Sequence, residues 1–242
     1  MQMENMLLKV YSLMVLMLDL LTLLFGIIIS IIVAFYRTLR PPAMKSLHGE
    51  VAVVIGAGRG VGREIAFQLC LLGVKVACID KNDKMCKATV QQASRDSAVI
   101  KPYICDITDK KQLLESILPG MQRLGRGHIV ALSSVAGFSG AASRSARVPF
   151  STAQFAIQGF TESLQAELRQ SNSNIIITLV HIYPFIIDSE TANDIRLRIP
   201  SYFGTMPASE AARKILDGVR RNYAEFSIPG YLLYLGHVLR YQ

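Results

Sequence analysis

The stretch EVAVVIGAGRGVGREIA, Glu50 to Ala66, limits the possible folds more than any other part of the chain. An apolar run ends in glycine, and a helix-forming run follows at once. Gly56, Gly58, Gly60 and Gly62 occupy the turn between them. Glycine lets a backbone turn tightly and approach a bound group closely, and a helix N-terminus behind such a turn attracts negative charge. The pattern predicts a buried parallel strand, a phosphate-binding turn and a helix. A tight turn with no ligand is the plainer alternative.

The rest of the chain continues the alternation. After Gly73, VKVACID predicts a second strand and KNDKMCKATVQQASR a second helix. SAVIKPYICDIT contains a third strand, and DKKQLLESILPGMQRLG is read as helical up to Pro119. GHIVALSS is a strand, FSTAQFAIQGFTESLQAELRQ a long helix, and NIIITLVHIYP another strand. SEAARKILDGVRRN is a helix, EFSIPG a short last strand, and YLLYLGHVLRYQ a short apolar-rich terminal helix. Strands and helices in this order imply an α/β doubly wound parallel sheet. Asp80 closes the second strand, where an acid accepts from both ribose hydroxyls of NAD and repels a 2′-phosphate. Arg59 offers that phosphate a partner, so NADP is the alternative cofactor.

The front of the chain has a different character. Leu20 to Tyr36 is uncharged over 17 residues, about 25 Å of helix at 1.5 Å per residue. With Val10 to Leu18 the run reaches bilayer thickness, Asp19 being its one charge. It is too long for a signal peptide and lacks a small-x-small cleavage site, so a retained transmembrane helix is expected. Arg37, Arg40 and Lys45 follow it, which places the rest of the chain in the cytosol. The organisation is an anchor over 1–40, a Pro41-Pro42 linker over 41–48 and one α/β domain over 49–242. The net charge of +8 suits a domain held against anionic membrane lipid. Nucleic acid is excluded as a partner, because no basic stripe carries interleaved aromatics. Cys70, Cys78, Cys86 and Cys105 form no CxxC pair and the four histidines are scattered, so no metal site is expected.

GAGRGVG, CDIT, GHIVALSSVAG, FSTAQFAIQGFTESLQAEL and YPFIIDS, in that order, resemble the short-chain dehydrogenase/reductases over about residues 49–235. With the anchor, the chain is similar to the membrane-anchored branch of retinol and 17β-hydroxysteroid dehydrogenases. The resemblance implies a Rossmann-like fold and NAD(P)-dependent oxidation of the CH–OH group of an apolar substrate, such as a retinoid or steroid. It also implies an endoplasmic reticulum membrane or lipid-droplet surface. By position, Gly56, Gly60 and Gly62, flanked by Arg59 and Val61, match the pyrophosphate turn. Asp80 matches the ribose acid, and Asp106 and Ile107 the adenine pocket. Ser134 matches the serine that holds the substrate oxygen. Pro184, Ile187 and Ser189 match the segment at the nicotinamide carboxamide, with Ser189 where the family has threonine.

Two departures bear on activity. The family's Tyr-x-x-x-Lys falls on Phe150 and Gln154. Spacing of i,i+4 puts both side chains on one helical face. The tyrosine moves a proton to or from the substrate oxygen, and the lysine lowers its pKa and bonds the nicotinamide ribose. Phe150 has no such proton, and Gln154 can reach a ribose without a charge. Ser134 to Phe150 is also three residues longer than the usual spacing. Next, only 22 residues, Asp106 to Gly127, separate the third strand from GHIVALSS. The family fits a helix, a strand ending in Asn-Asn-Ala-Gly and a second helix there. One central strand is therefore expected to be missing. A non-catalytic member that binds nucleotide or a partner is the alternative function. Helix 150–170, with Ile157, Phe160, Leu164 and Leu168 in a stripe, is the candidate homo- or heterodimer surface. Ordinary core packing is the favoured reading of that stripe.

Overall fold

The computed structural model describes residues 2–94, 99–104, 110–137, 148–183, 186–187, 206–230 and 233. The chain divides into two units, Met1–Ala43 and Met44–Gln242, so the boundary falls inside the linker.

The first unit is dominated by one helix, α1, Gln2–Leu39. Its described side chains are mostly apolar and exposed: Phe25 and Phe35 are both 66% exposed. Among the described residues no helix is long and apolar enough to cross a membrane. Several side chains of the uncharged run, Leu23 and Val33 among them, lie outside the described set.

The second unit alternates strands and helices. They are β1 (Val51–Ile55), α2 (Gly60–Leu71), β2 (Lys75–Asp80), α3 (Asp83–Ala93), β3 (Ile100–Ile104) and α4 (Lys110–Leu124). There follow β4 (Gly127–Ser134), a short 3-10 turn (Val135–Gly137), α5 (Val148–Gln170) and β5 (Ile175–Ile182). The last elements are β6 (Ile186–Ile187), β7 (Met206–Pro207), α6 (Ala208–Arg220) and β8 (Glu225–Ile228). The sequence foresaw all of these except the 3-10 turn and the short parallel pair β6–β7. The expected terminal helix lies outside the described residues apart from Leu233.

Local chemistry explains the boundaries. Asn82 caps α3 by accepting from the Met85 N–H at 3.2 Å. Gly73, at φ +75°, supplies the left-handed residue after α2. One expectation fails: α4 does not stop before Pro119 but runs through it. A proline removes one backbone bond, yet Leu118 and Met121 on either side pack against Leu164, Leu168, Ile175 and Ile177. That packing outweighs the local preference.

The strands form two parallel three-stranded sheets, ordered β1-β2-β3 and β4-β5-β8. β1 and β4 are thus edge strands, and no ladder joins them among the described residues. This is the arrangement expected of a doubly wound sheet with one central strand removed. The two sheets still share a core. Val54, Val76 and Cys78 from the first meet Val180 and Ile228 from the second in one buried cluster, with Ile65, Ala66 and Leu69 of α2 and Ala211, Ala212, Ile215 and Leu216 of α6. Gln68 of α2 also donates to the Ser209 carbonyl at 2.7 Å. Cys78 lies in that core, and burial pushes its thiol up to about 12, so it stays protonated and inert.

The end of the linker is fastened to the domain. Leu47 packs on the shared cluster. The Lys45 N–H donates to the Arg220 carbonyl at 2.8 Å, and Arg220 Nε returns a bond to the Lys45 carbonyl at 3.0 Å. Lys45 Nζ meets His128 Nδ1 at 2.8 Å, His128 Nε2 meets Thr178 Oγ1 at 2.7 Å, and Thr178 donates to the Tyr223 carbonyl at 2.6 Å. Burial, with Lys45 adding to it, lowers the His128 pKa to about 4. A neutral His128 accepting at Nδ1 and donating at Nε2 satisfies the whole chain.

Candidate functional site

The glycine turn is held from three sides. The Gly56 and Ala57 N–H groups donate to the Ile79 carbonyl at 2.8 and 3.3 Å. Thr89 Oγ1, on the inner face of α3, donates to the Ala57 carbonyl at 3.0 Å. Asp80 accepts from the Gly58 N–H at Oδ2 and from the Asn82 N–H at Oδ1, both at 2.9 Å. Thr89 escaped the sequence reading, although a buried threonine between Cys86 and Ala93 on the apolar face of α3 was a usable signal.

The glycines are needed where they stand. Gly56 and Gly60 have φ of +75° and +59°, a region that side chains with a Cβ rarely enter. A Cβ on Gly62 would collide with the Gly56 carbonyl oxygen. Arg59 is exposed in the N-cap position of α2 and makes no side-chain cap bond. Val61, one residue into that helix, packs on the shared core. A turn with glycine at every second position, at the start of a twelve-residue helix, fits a pyrophosphate. Asp80, at the tip of the adjoining strand, stands where a ribose would follow. Each of its oxygens has accepted one backbone donor and keeps lone-pair capacity for a hydroxyl.

A second group of residues gathers where β4 ends. Ser134 is half-buried, and its Oγ accepts weakly from the Ala136 N–H at 3.5 Å. α5 comes in closely: a Cβ on Gly137 would lie 3.1 Å from the Gln154 carbonyl and from Ser133 Oγ. Ser133, buried, donates its hydroxyl to Gln154 Oε1 at 3.3 Å. This pairing was not legible in the sequence. It occupies the amide oxygen of Gln154 and leaves its NH₂ as the donor for an incoming hydroxyl. Phe150, four residues before, is 48% exposed. Tyr183 follows β5 beside this end of the sheet, is buried, and has its pKa raised by that burial. Ile187 lies in β6. Asp106, Ile107, Pro184 and Ser189 lie outside the described residues. Among the described residues no three His, Cys, Asp or Glu side chains gather as a metal site.

The stripe on α5 divides. Leu164 and Leu168 are buried against Ile175 and Ile177, whereas Phe160 is 50% exposed.

A family model described as short chain dehydrogenase matches residues 50–117 and 112–199. Human 17-beta-hydroxysteroid dehydrogenase 13 is 21% identical over 266 aligned residues, covering 89% of this chain and 86% of that one. Human epidermal retinol dehydrogenase 2 is 24% identical over 258, covering 85% and 82%. A crystal structure of a short chain dehydrogenase/reductase from Burkholderia phymatum in complex with NAD superposes with a TM-score of 0.62 at 16% identity, covering 80% of this chain and 93% of that one.

Proposed function

The chain belongs to the short-chain dehydrogenase family, and from that premise we propose that it is a membrane-anchored, NAD-binding oxidoreductase for the CH–OH group of an apolar alcohol such as a retinoid or steroid, with slow turnover. The observation that carries the reading is the glycine turn with Asp80 bonded into it. Gly56, Gly58, Gly60 and Gly62 would receive the pyrophosphate and Asp80 the adenosine ribose. The Burkholderia relative with NAD bound supports the same cofactor. When bound, NAD supplies a hydride acceptor.

The chain's own residues set the pace. Ser134 holds the substrate oxygen. The proton leaving that oxygen has no tyrosine at position 150 to take it, and no ammonium at position 154 to favour its departure. A positioned acid–base group contributes about 10²–10⁴ in rate. Gln154, engaged with Ser133, positions a hydroxyl without supplying charge.

The uncharged run within α1 supports the anchor, and with it a place on an endoplasmic reticulum membrane or lipid-droplet surface, while the dehydrogenases of retinol and hydroxysteroids among the relatives support the apolar substrate. Equilibrium binding of NAD to the full chain in detergent, followed by retinol and steroid oxidation assays, tests the reading. Absence of NAD binding at millimolar concentration overturns it. Carbonate extraction tests the anchor, and recovery of intact protein in the soluble fraction refutes it.

A second reading is a non-catalytic nucleotide-binding member that pairs with a copy of itself or an active relative. Phe155 and Phe160, 42% and 50% exposed on α5, favour it. NAD binding without turnover, together with a dimer disrupted by Phe160→Glu, distinguishes this reading from the first.

A further inference from the structure

The edge of β1 is open in a specific way. Lys75 N–H donates to the Glu50 carbonyl and Gly56 N–H to the Ile79 carbonyl. In a parallel ladder alternate residues bond alternate sides, so Ala52 and Val54 bond β2, while the N–H and C=O groups of Val51, Val53 and Ile55 point to the other edge. Among the described residues no strand pairs there. The side chains of the same three residues are 72%, 43% and 36% exposed. Among the described residues α2 and α3 pack on the opposite face, through Val54, Val76, Cys78 and Ile100. β4 is likewise an edge strand, and its Leu132 packs on the same cluster as Ala52 of β1.

The relatives show what is lacking. The alignment with human 17-beta-hydroxysteroid dehydrogenase 13 runs over 266 positions but uses 89% of a 242-residue chain, about 215 residues. About 50 residues of the relative therefore face gaps. The retinol dehydrogenase alignment, 258 positions on 85% of the chain, gives about the same number. The family match itself breaks at 112–117, between β3 and β4. In a doubly wound sheet the strand following the third lies beside the first. About 50 residues suffice for a strand, its crossover and a helix.

We propose that the open edge of β1 is a docking site for a separate polypeptide that supplies a short, uncharged strand in parallel to β1, followed by an amphipathic helix over Val51, Val53 and Ile55. Backbone groups that no strand meets among the described residues require a strand rather than a helix or a lipid chain, because only a strand returns hydrogen bonds at a two-residue repeat. The uncharged lining of Val51, Val53 and Ile55 requires that the strand be uncharged too.

The test uses the full chain in detergent micelles and, as probe, a synthetic peptide of the residues of human 17-beta-hydroxysteroid dehydrogenase 13 that fall in the gap. Amide exchange is read residue by residue. Alone, Val51, Val53 and Ile55 should exchange quickly while Ala52 and Val54 are protected. Saturating peptide should slow the first three at least tenfold, and a scrambled peptide should not. Val53→Pro removes one outward donor while leaving the β2 ladder intact, and should weaken peptide binding at least tenfold. Protection of the three amides without peptide, whether constant or rising with protein concentration, overturns the proposal, since the edge is then already filled by this chain or by a second copy. Equal effects of native and scrambled peptide also overturn it.

Discussion

The Gly58 N–H donates to Oδ2 of Asp80 at 2.9 Å, and a Cβ on Gly58 would stand 2.7 Å from that same oxygen. The carboxylate that should select the cofactor therefore also shapes the turn that should hold its phosphates. Binding and loop geometry share one side chain.

Replacing Asp80 by Ala removes the side-chain acceptors of two backbone N–H groups and the ribose acceptor together. Hydrogen bonds to a charged group are each worth about 1.5–3 kcal/mol. NAD affinity should fall at least tenfold in calorimetric titration, and NADP affinity should fall less, because a repulsive charge is lost with the attractive one. Equal losses for the two nucleotides would show that Asp80 acts on the turn alone.

Gly62→Ala forces a methyl against the Gly56 carbonyl oxygen. Overpacking of this kind costs about 1–3 kcal/mol. The melting temperature should drop by several degrees, at about 2–4 °C per kcal/mol for a domain of this size. NAD binding should be lost even below the new melting point. Retention of full affinity would place the pyrophosphate elsewhere.

The Phe150→Tyr, Gln154→Lys double variant returns both missing groups to one face of α5. The new ammonium can still donate to Ser133 Oγ, so the local contact survives in reversed sense. A restored general acid is worth about 10²–10⁴, but among the described residues no strand flanks the outer edge of β1, so the glycine turn at its end is supported from one side of the sheet only. A misplacement of about 1 Å can cost 10²-fold. Retinol oxidation in membranes should rise by less than tenfold. Brisk wild-type turnover that survives Ser134→Ala would mean that the chemistry uses other residues.

His128 predicts an acid-side loss of stability. In the unfolded chain it takes a proton near pH 6.5, whereas in the folded protein it does so only at about 4. Unfolding takes up a proton in between, so stability falls as pH drops through that window. Urea midpoints should decline from pH 6.5 to pH 4 and the His128→Asn variant should flatten the decline. An unchanged slope in the variant would remove His128 from the account.

The strands and helices were legible because each carries its own period and punctuation. Gly73 ends α2 and Asn82 starts α3 by chemistry that depends only on neighbours in sequence. The glycine turn was legible for the same reason. The split between β1 and β4 was anticipated from a chain too short between β3 and β4, a matter of counting. What stayed hidden depends on partners distant in sequence. Pro119 inside α4 is decided by Leu118 and Met121 against α5 and β5. Lys45 and His128, 83 residues apart, meet through the way the linker returns to the domain. Ser133, to which the likeness gave no role, pairs with Gln154 across 21 residues of sequence.

Ala66 of α2 and Ala211 and Ala212 of α6 are fully buried in the cluster that the two sheets share. Their smallness lets the helices approach, and this seam joins the strand side chains of the same cluster in holding together halves that no ladder links among the described residues. The first sheet closes within Val51–Ile104, while the second spans Gly127–Ile228. The domain's cooperativity therefore rests on side-chain packing, the α2–α6 seam included, rather than on a continuous ladder. Were that seam opened by a bulky side chain, the halves would become separate foldons, each melting with its own midpoint.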